Sequence, residues 1–135
     1  MNICTTLEQS EKLLGLGLNP ETADMKYFYW KNEENPVKKS PSVGFSKEIS
    51  DNYIGTEAVY APAWSLAKLL EILPDCVIKD GRGYWLECLK DEDTFIIKYW
   101  LKPNGICTNL LVEGHPDYVT CAFNAVCYLL ETKLL

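Results

Sequence analysis

One histidine, His115, is all the imidazole in this chain, and that scarcity removes most familiar catalytic arrangements at once. A Ser-His-Asp or Cys-His site would have to run through it. It stands in "EGHPDY", directly before Pro116, with no identifiable nucleophile or orienting partner, and reads as the residue leading into a helix. Zinc-type ligand spacing is missing too, because the cysteines form no CxxC pair. Basic residues are few: 13 Lys and Arg stand against 19 Asp and Glu, for a net charge of -6, and "VKKS" holds the only basic pair. A phosphate-backbone binder needs clustered cations, so no nucleic-acid partner is expected. The dilute acidity serves solubility. No run approaches the roughly 20 apolar residues of a membrane-spanning helix, so no membrane partner is expected. "MNICTTLEQSEK" has no basic segment followed by an apolar one, which predicts no signal peptide and a cytoplasmic location.

Phosphate-binding loops are also lacking. "DGRGYW" (80–85) offers GxG alone, with no GxGxxG, no GxxxxGK[ST] and no helix opening from it; it predicts a turn before a strand. Asp91, Glu92 and Asp93 form an acidic run without the spaced ligands and glycine of a calcium loop, so they predict a solvated turn. No cofactor, metal or catalytic residue is therefore assigned. Cys4, Cys76, Cys88, Cys107, Cys121 and Cys127 come without a secretory leader, and most lie in apolar runs where free cysteine acts as a small hydrophobe. They are expected to be reduced.

What the chain does contain is ordinary globular material. Its 135 residues, 47% hydrophobic and 24% charged, suit a single domain over 1–135. A domain of this size buries about two thirds of its unfolded surface. Thr5 and Thr6, each followed three residues later by Glu8 or Gln9, predict a capped helix with Leu7, Leu13, Leu14 and Leu16 on its apolar side. Gly15 and Gly17 can end it, Asn19-Pro20 blocks continuation, and Thr22 and Asp24 can bond locally to backbone amides. "MKYFYW" (25–30) reads as a strand. Residues 31–57 read as an irregular excursion with one short extended piece near "VGF".

"PAWSLAKLLEILP" (62–74) predicts a helix capped by Ser65 and ended by Pro74. "CVIKD", "YWLECL", "TFIIKYWL" and "ICTNLLV" then predict an antiparallel meander, turning at "KDED" and "PNG". The first turn would pair Cys88 with Phe95, Leu86 with Ile97 and Tyr84 with Tyr99 on a core face. The second would pair Leu101 with Ile106 and Ile97 with Leu110, unless a bulge at Gly105 shifts it. "HPDYVTCAFNAVCYLLETKLL" predicts a long terminal helix with Pro116 in its first turn and Val119, Ala122, Phe123, Val126, Leu129 and Leu130 inward. The expected fold is α+β, an antiparallel β-meander packed with an N-terminal, a middle and a long C-terminal helix.

In order, "GLNPETADM", "PAWSLAKLLEILP" and the terminal "AFNAVCYLLE" resemble short uncharacterised proteins of gut Bacteroides and their prophages and mobile elements. The resemblance spans most of the chain except 31–57, and departs from that pattern at its end, "LLETKLL". It implies a cytoplasmic α+β protein of mobile-element origin and carries no catalytic residues.

Two functional classes remain. One is a small binding protein whose partner is another protein or itself, as a homodimer. The other is an enzyme or accessory subunit with an unrecognised carboxylate-based site; convergent ionisable groups in a pocket would favour it. The sheet's second face favours the first class. Strand alternation sends Ile96, Lys98 and Trp100 away from the core, with Trp85 opposite Lys98 and Leu111 opposite Ile96. Trp30, Trp85, Ile96, Trp100 and Leu111 are the candidate interaction surface, on a face too apolar for water alone unless the excursion or a helix covers it.

Overall fold

The computed structural model describes residues 2–30, 42–45 and 58–135; for 29, 30, 42, 44, 45, 58 and 59 it describes the backbone only. The rest of the excursion at 31–57 lies outside the described residues. Helix α1 (Leu7–Gly15) starts where Thr6 closes a capping box: its hydroxyl accepts from the Gln9 N–H, and the Gln9 side chain accepts from the Thr6 N–H. Thr5 is buried instead, its hydroxyl bonded to Ser10 at 2.8 Å and accepting from the Trp64 N–H at 3.1 Å. The helix ends because Gly17 turns to φ +98°, letting the Leu18 N–H reach the Leu13 carbonyl and the Gly17 N–H reach that of Leu14. Leu13 and Leu18 seal this end in the core, whereas Leu14, predicted on the apolar side, is 36% exposed.

A three-stranded antiparallel sheet follows, in the order β2-β1-β3, from β1 (Met25–Trp30), β2 (Ser42–Phe45) and β3 (Ala58–Ala63). The extended piece near "VGF" is β2. β3 is legible only afterwards: its Pro62 has no N–H to donate to a ladder, and the strand accordingly lies at the edge. Helix α2 (Leu66–Ile72) begins at Ser65, whose hydroxyl accepts from the Lys68 N–H, and stops before Pro74.

The meander is β4 (Cys76–Lys79), β5 (Arg82–Asp91), β6 (Thr94–Leu101) and β7 (Thr108–His115), antiparallel and in sequence order. Asp80 and Gly81, at φ 53° and 75°, make the two-residue turn that "DG" encodes. The next turn is also two residues, Glu92 and Asp93, because Glu92 takes φ 53°. Register therefore shifts by two from the sequence expectation: Phe95 faces Lys90, Ile97 faces Cys88 and Tyr99 faces Leu86. A shift of two keeps every side chain on its predicted face.

The third turn departs further. Leu101 pairs with Thr108, not Ile106, since Asn104 and Gly105 spend the loop in left-handed conformations. The bulge lies not at Gly105 but within β7: Trp100 faces Asn109 and Tyr99 faces Leu111, leaving Leu110 as the extra residue. Both Leu110 and Leu111 consequently pack on the core.

Helix α3 (Tyr118–Glu131) is capped by Asp117, which accepts from the Thr120 N–H, so Pro116 sits before the cap rather than in the first turn. Its buried side is broader than the predicted stripe, adding Cys121, Ala125 and Cys127, while Leu130 is half-buried. The reason is its position: β6 and β7 lie under it, α2 beside it, and α1 reaches it through Gln9 to Thr120 and through Lys12 to Glu131 and the Phe123 ring. The fold is α+β, with helices on one face of the meander and the three-stranded sheet as a second small unit. All six cysteines are free; burial pushes the Cys121 and Cys127 thiols up to about 11.

Candidate functional site

Alternation along β6 buries Phe95, Ile97 and Tyr99 against the helices and turns Ile96, Lys98 and Trp100 the other way. Pairing with β5 then builds three rungs on this outer face: Trp85 beside Trp100, Glu87 beside Lys98, and Leu89 beside Ile96. β4 sets Cys76 beside Trp85 and Ile78 beside Gly83, one rung beyond, and β7 sets Val112 beside Lys98. Trp85 is 61% exposed, Ile78 71% and Val112 53%. None of these apolar side chains belongs to either core cluster.

Only two charges interrupt the rungs, and they neutralise each other: Lys98 Nζ lies 3.8 Å from Glu87 Oε1. The same ammonium sits 5.0 Å from the centre of the Trp100 ring, an attraction between cation and π-face. Trp85, Trp100, Leu101 and Lys102 line an open hollow of about 270 Å³, almost wholly apolar. The geometry is that of a flat, mostly apolar face with one ion pair at its centre. Its capacity is to release water from a large aromatic and aliphatic surface when another surface covers it.

Of the predicted surface residues, the structure brings Trp85, Ile96 and Trp100 together. Trp85 faces Trp100 rather than Lys98, a consequence of the two-residue turn. Leu111 is corrected: it is 7% exposed and opposes Tyr99 on the core face, because the bulge at Leu110 reverses the alternation of β7. Trp30 pairs through its backbone with Ala58, and its side chain lies outside the described residues. Ile78 and Val112, which the sequence reading passed over, belong to the face; the alternation of "CVIK" carried the signal for Ile78.

Several polar groups elsewhere tie elements of the fold together. His115 Nδ1 accepts from the Asp117 N–H at 2.9 Å, tying the end of β7 to the start of α3. Burial alone would raise the Asp117 carboxyl, but hydrogen bonds from Thr120 and from Asn2 outweigh it and hold the group below its ordinary value. Glu92 and Asp93 are an exposed hairpin tip. Among the described residues no group of three or more His, Cys, Asp or Glu side chains could hold a metal ion, and no helix is long and apolar enough to cross a membrane.

The two sequence motifs meet in space. Thr22 and Asp24, predicted to bond locally, reach across to the second motif instead. Thr22 Oγ accepts from the Trp64 indole N–H at 3.0 Å, and Asp24 accepts from the Ser65 N–H at 2.9 Å and from the Ser65 hydroxyl. Thr22 keeps one local bond, donating to the Asn19 carbonyl. "GLNPETADM" is thus both the stop of α1 and the seat of the α2 cap. Trp64 is fully buried in this junction, and a second hollow, about 210 Å³, is lined by Pro20, Met25, Lys26, Tyr60 and Pro62 among others. No protein-family model, no curated protein and no solved structure matches the chain.

Proposed function

We propose that this is a small protein-interaction module whose working surface is the outer face of the meander, centred on Trp85 and Trp100. One observation carries the reading: Trp85, Ile78 and Val112 stand 61%, 71% and 53% exposed on one sheet face, around a neutral Glu87–Lys98 pair. Native chains seldom present so much contiguous apolar surface unless something binds it, and buried tryptophans dominate the energetics of contacts between proteins. Among the described residues the Thr6, Ser65 and Asp117 clusters serve helix caps, whereas the outer sheet face packs on neither core cluster. Its setting is the cytoplasm, whose reducing conditions suit six free thiols.

The test is comparative affinity capture from cells that naturally produce the protein. Wild-type bait should retain proteins that the Trp85→Ser, Trp100→Ser double variant loses, while circular dichroism reports the same fold for both. Identical captured sets from the two baits would overturn the reading.

A further inference from the structure

Resting on that reading, we infer that the occupant of the outer face is a second copy of this chain, docked face to face about a two-fold axis parallel to β5 and β6. The rungs themselves select this partner. Turning a copy over about an axis between the two strands lays its β5 on the first copy's β6. Trp85 then meets Trp100 of the other copy, Glu87 meets Lys98 and Leu89 meets Ile96, because each pair already shares a rung. Aromatic lies on aromatic, aliphatic on aliphatic, and each charge on its opposite. The other in-plane axis, across the strands, would set Glu87 on Glu87 and Lys98 on Lys98. The charged rung is the middle one, so it stays in register when two twisted sheets pack at the usual angle of about 30°.

Size and charge agree with this choice. β6 and β7 are eight residues long. β4 is shorter, at four residues, and β5 longer, at ten; at about 3.3 Å per residue and about 4.8 Å between strands, the four together present roughly 475 Å² of flat face. Two copies would bury about 950 Å², close to the roughly 1,000 Å² at which specific interfaces begin. The chain carries a net charge of -6, so two copies repel in general; the rungs, with one acid and one base, carry none of that repulsion.

Light scattering behind a sizing column tests this, with circular dichroism confirming each variant's fold. At about 100 µM the wild type should show twice the chain mass, and Trp85→Ser with Trp100→Ser should show the single mass. Glu87→Lys and Lys98→Glu should each weaken association by about tenfold or more, since each sets like charges face to face. Their equimolar mixture should associate again. In the mixed dimer the lysine introduced in one variant meets the glutamate introduced in the other, while the native Lys98 of the first meets the native Glu87 of the second. A wild-type monomer at that concentration, or a dimer indifferent to the tryptophan changes, overturns the proposal. So does a dimer weakened by both single charge changes but not restored in the mixture. A monomer whose bait still loses captured proteins with the tryptophans overturns self-docking alone; a monomer whose captured set is unchanged overturns the contact surface as well.

Discussion

Replacing Asp24 with Ala asks how firmly the two motifs hold each other. The carboxylate accepts from both the backbone N–H and the hydroxyl of Ser65, 41 residues away, at a partly buried junction. Hydrogen bonds to a charged group contribute about 1.5–3 kcal/mol, and the vacated Ser65 N–H would keep part of its desolvation cost. Ser65 still caps α2 through the Lys68 N–H, so the helix itself survives. The expected loss is about 2–3 kcal/mol, or a fall in Tm of roughly 6–12 °C for a chain this long. Ser65→Ala should cost about 1–2 kcal/mol by removing the cap and the same bond. Urea denaturation of both single variants and the double variant closes a cycle, whose coupling energy, from the shared hydroxyl bond, should be about 0.5–1 kcal/mol. Additivity within about 0.3 kcal/mol would refute the reasoning, since it would mean that the motifs stabilise the fold independently.

Three further outcomes follow from the same contacts. The depressed Asp117 carboxyl contributes stability above the ordinary carboxylate range and loses it as pH falls through its own lower value, so the acid limb of a pH–stability curve should flatten in Asp117→Asn; an unchanged limb contradicts the capping network. Leu111→Ala should cost about 2–5 kcal/mol and Trp85→Ser less than about 0.5 kcal/mol in the monomer by chemical denaturation, the reverse order showing that the bulge does not turn Leu111 inward. Thermal melts with and without dithiothreitol should coincide, because all six cysteines are free; a fall of several degrees on reduction would show a disulfide.

How legible this was from the sequence depended on whether the signal was local. Face assignment in β5 and β6 follows from strict alternation, which survives a register error of two. Register did not follow, because Glu92 in a left-handed conformation carries none of the Asn-Gly or Asp-Gly signature that made Asp80-Gly81 readable. Leu111 was misplaced by a bulge whose only trace is one surplus residue between two loops of unknown length. The α1 cap and its glycine stop were legible, each being set by four or five neighbouring residues. The partners of Thr22 and Asp24 were not, since a side chain's short-range options say nothing about a chain segment some 40 residues on. The candidate surface was read through its tryptophans, and Ile78 and Val112 joined it only once pairing placed β4 and β7 on either side.

Hydroxyl-radical footprinting across a concentration series tests the central claim, that the Trp85–Trp100 face is a contact surface, most directly. Oxidation of Trp85 and Trp100 should fall as protein concentration rises, while Ile3 and Ile106, exposed at 64% and 70% off the meander strands, should oxidise at a constant rate. Constant oxidation of Trp85 at every concentration, and equally in extract from the producing cells, would contradict it.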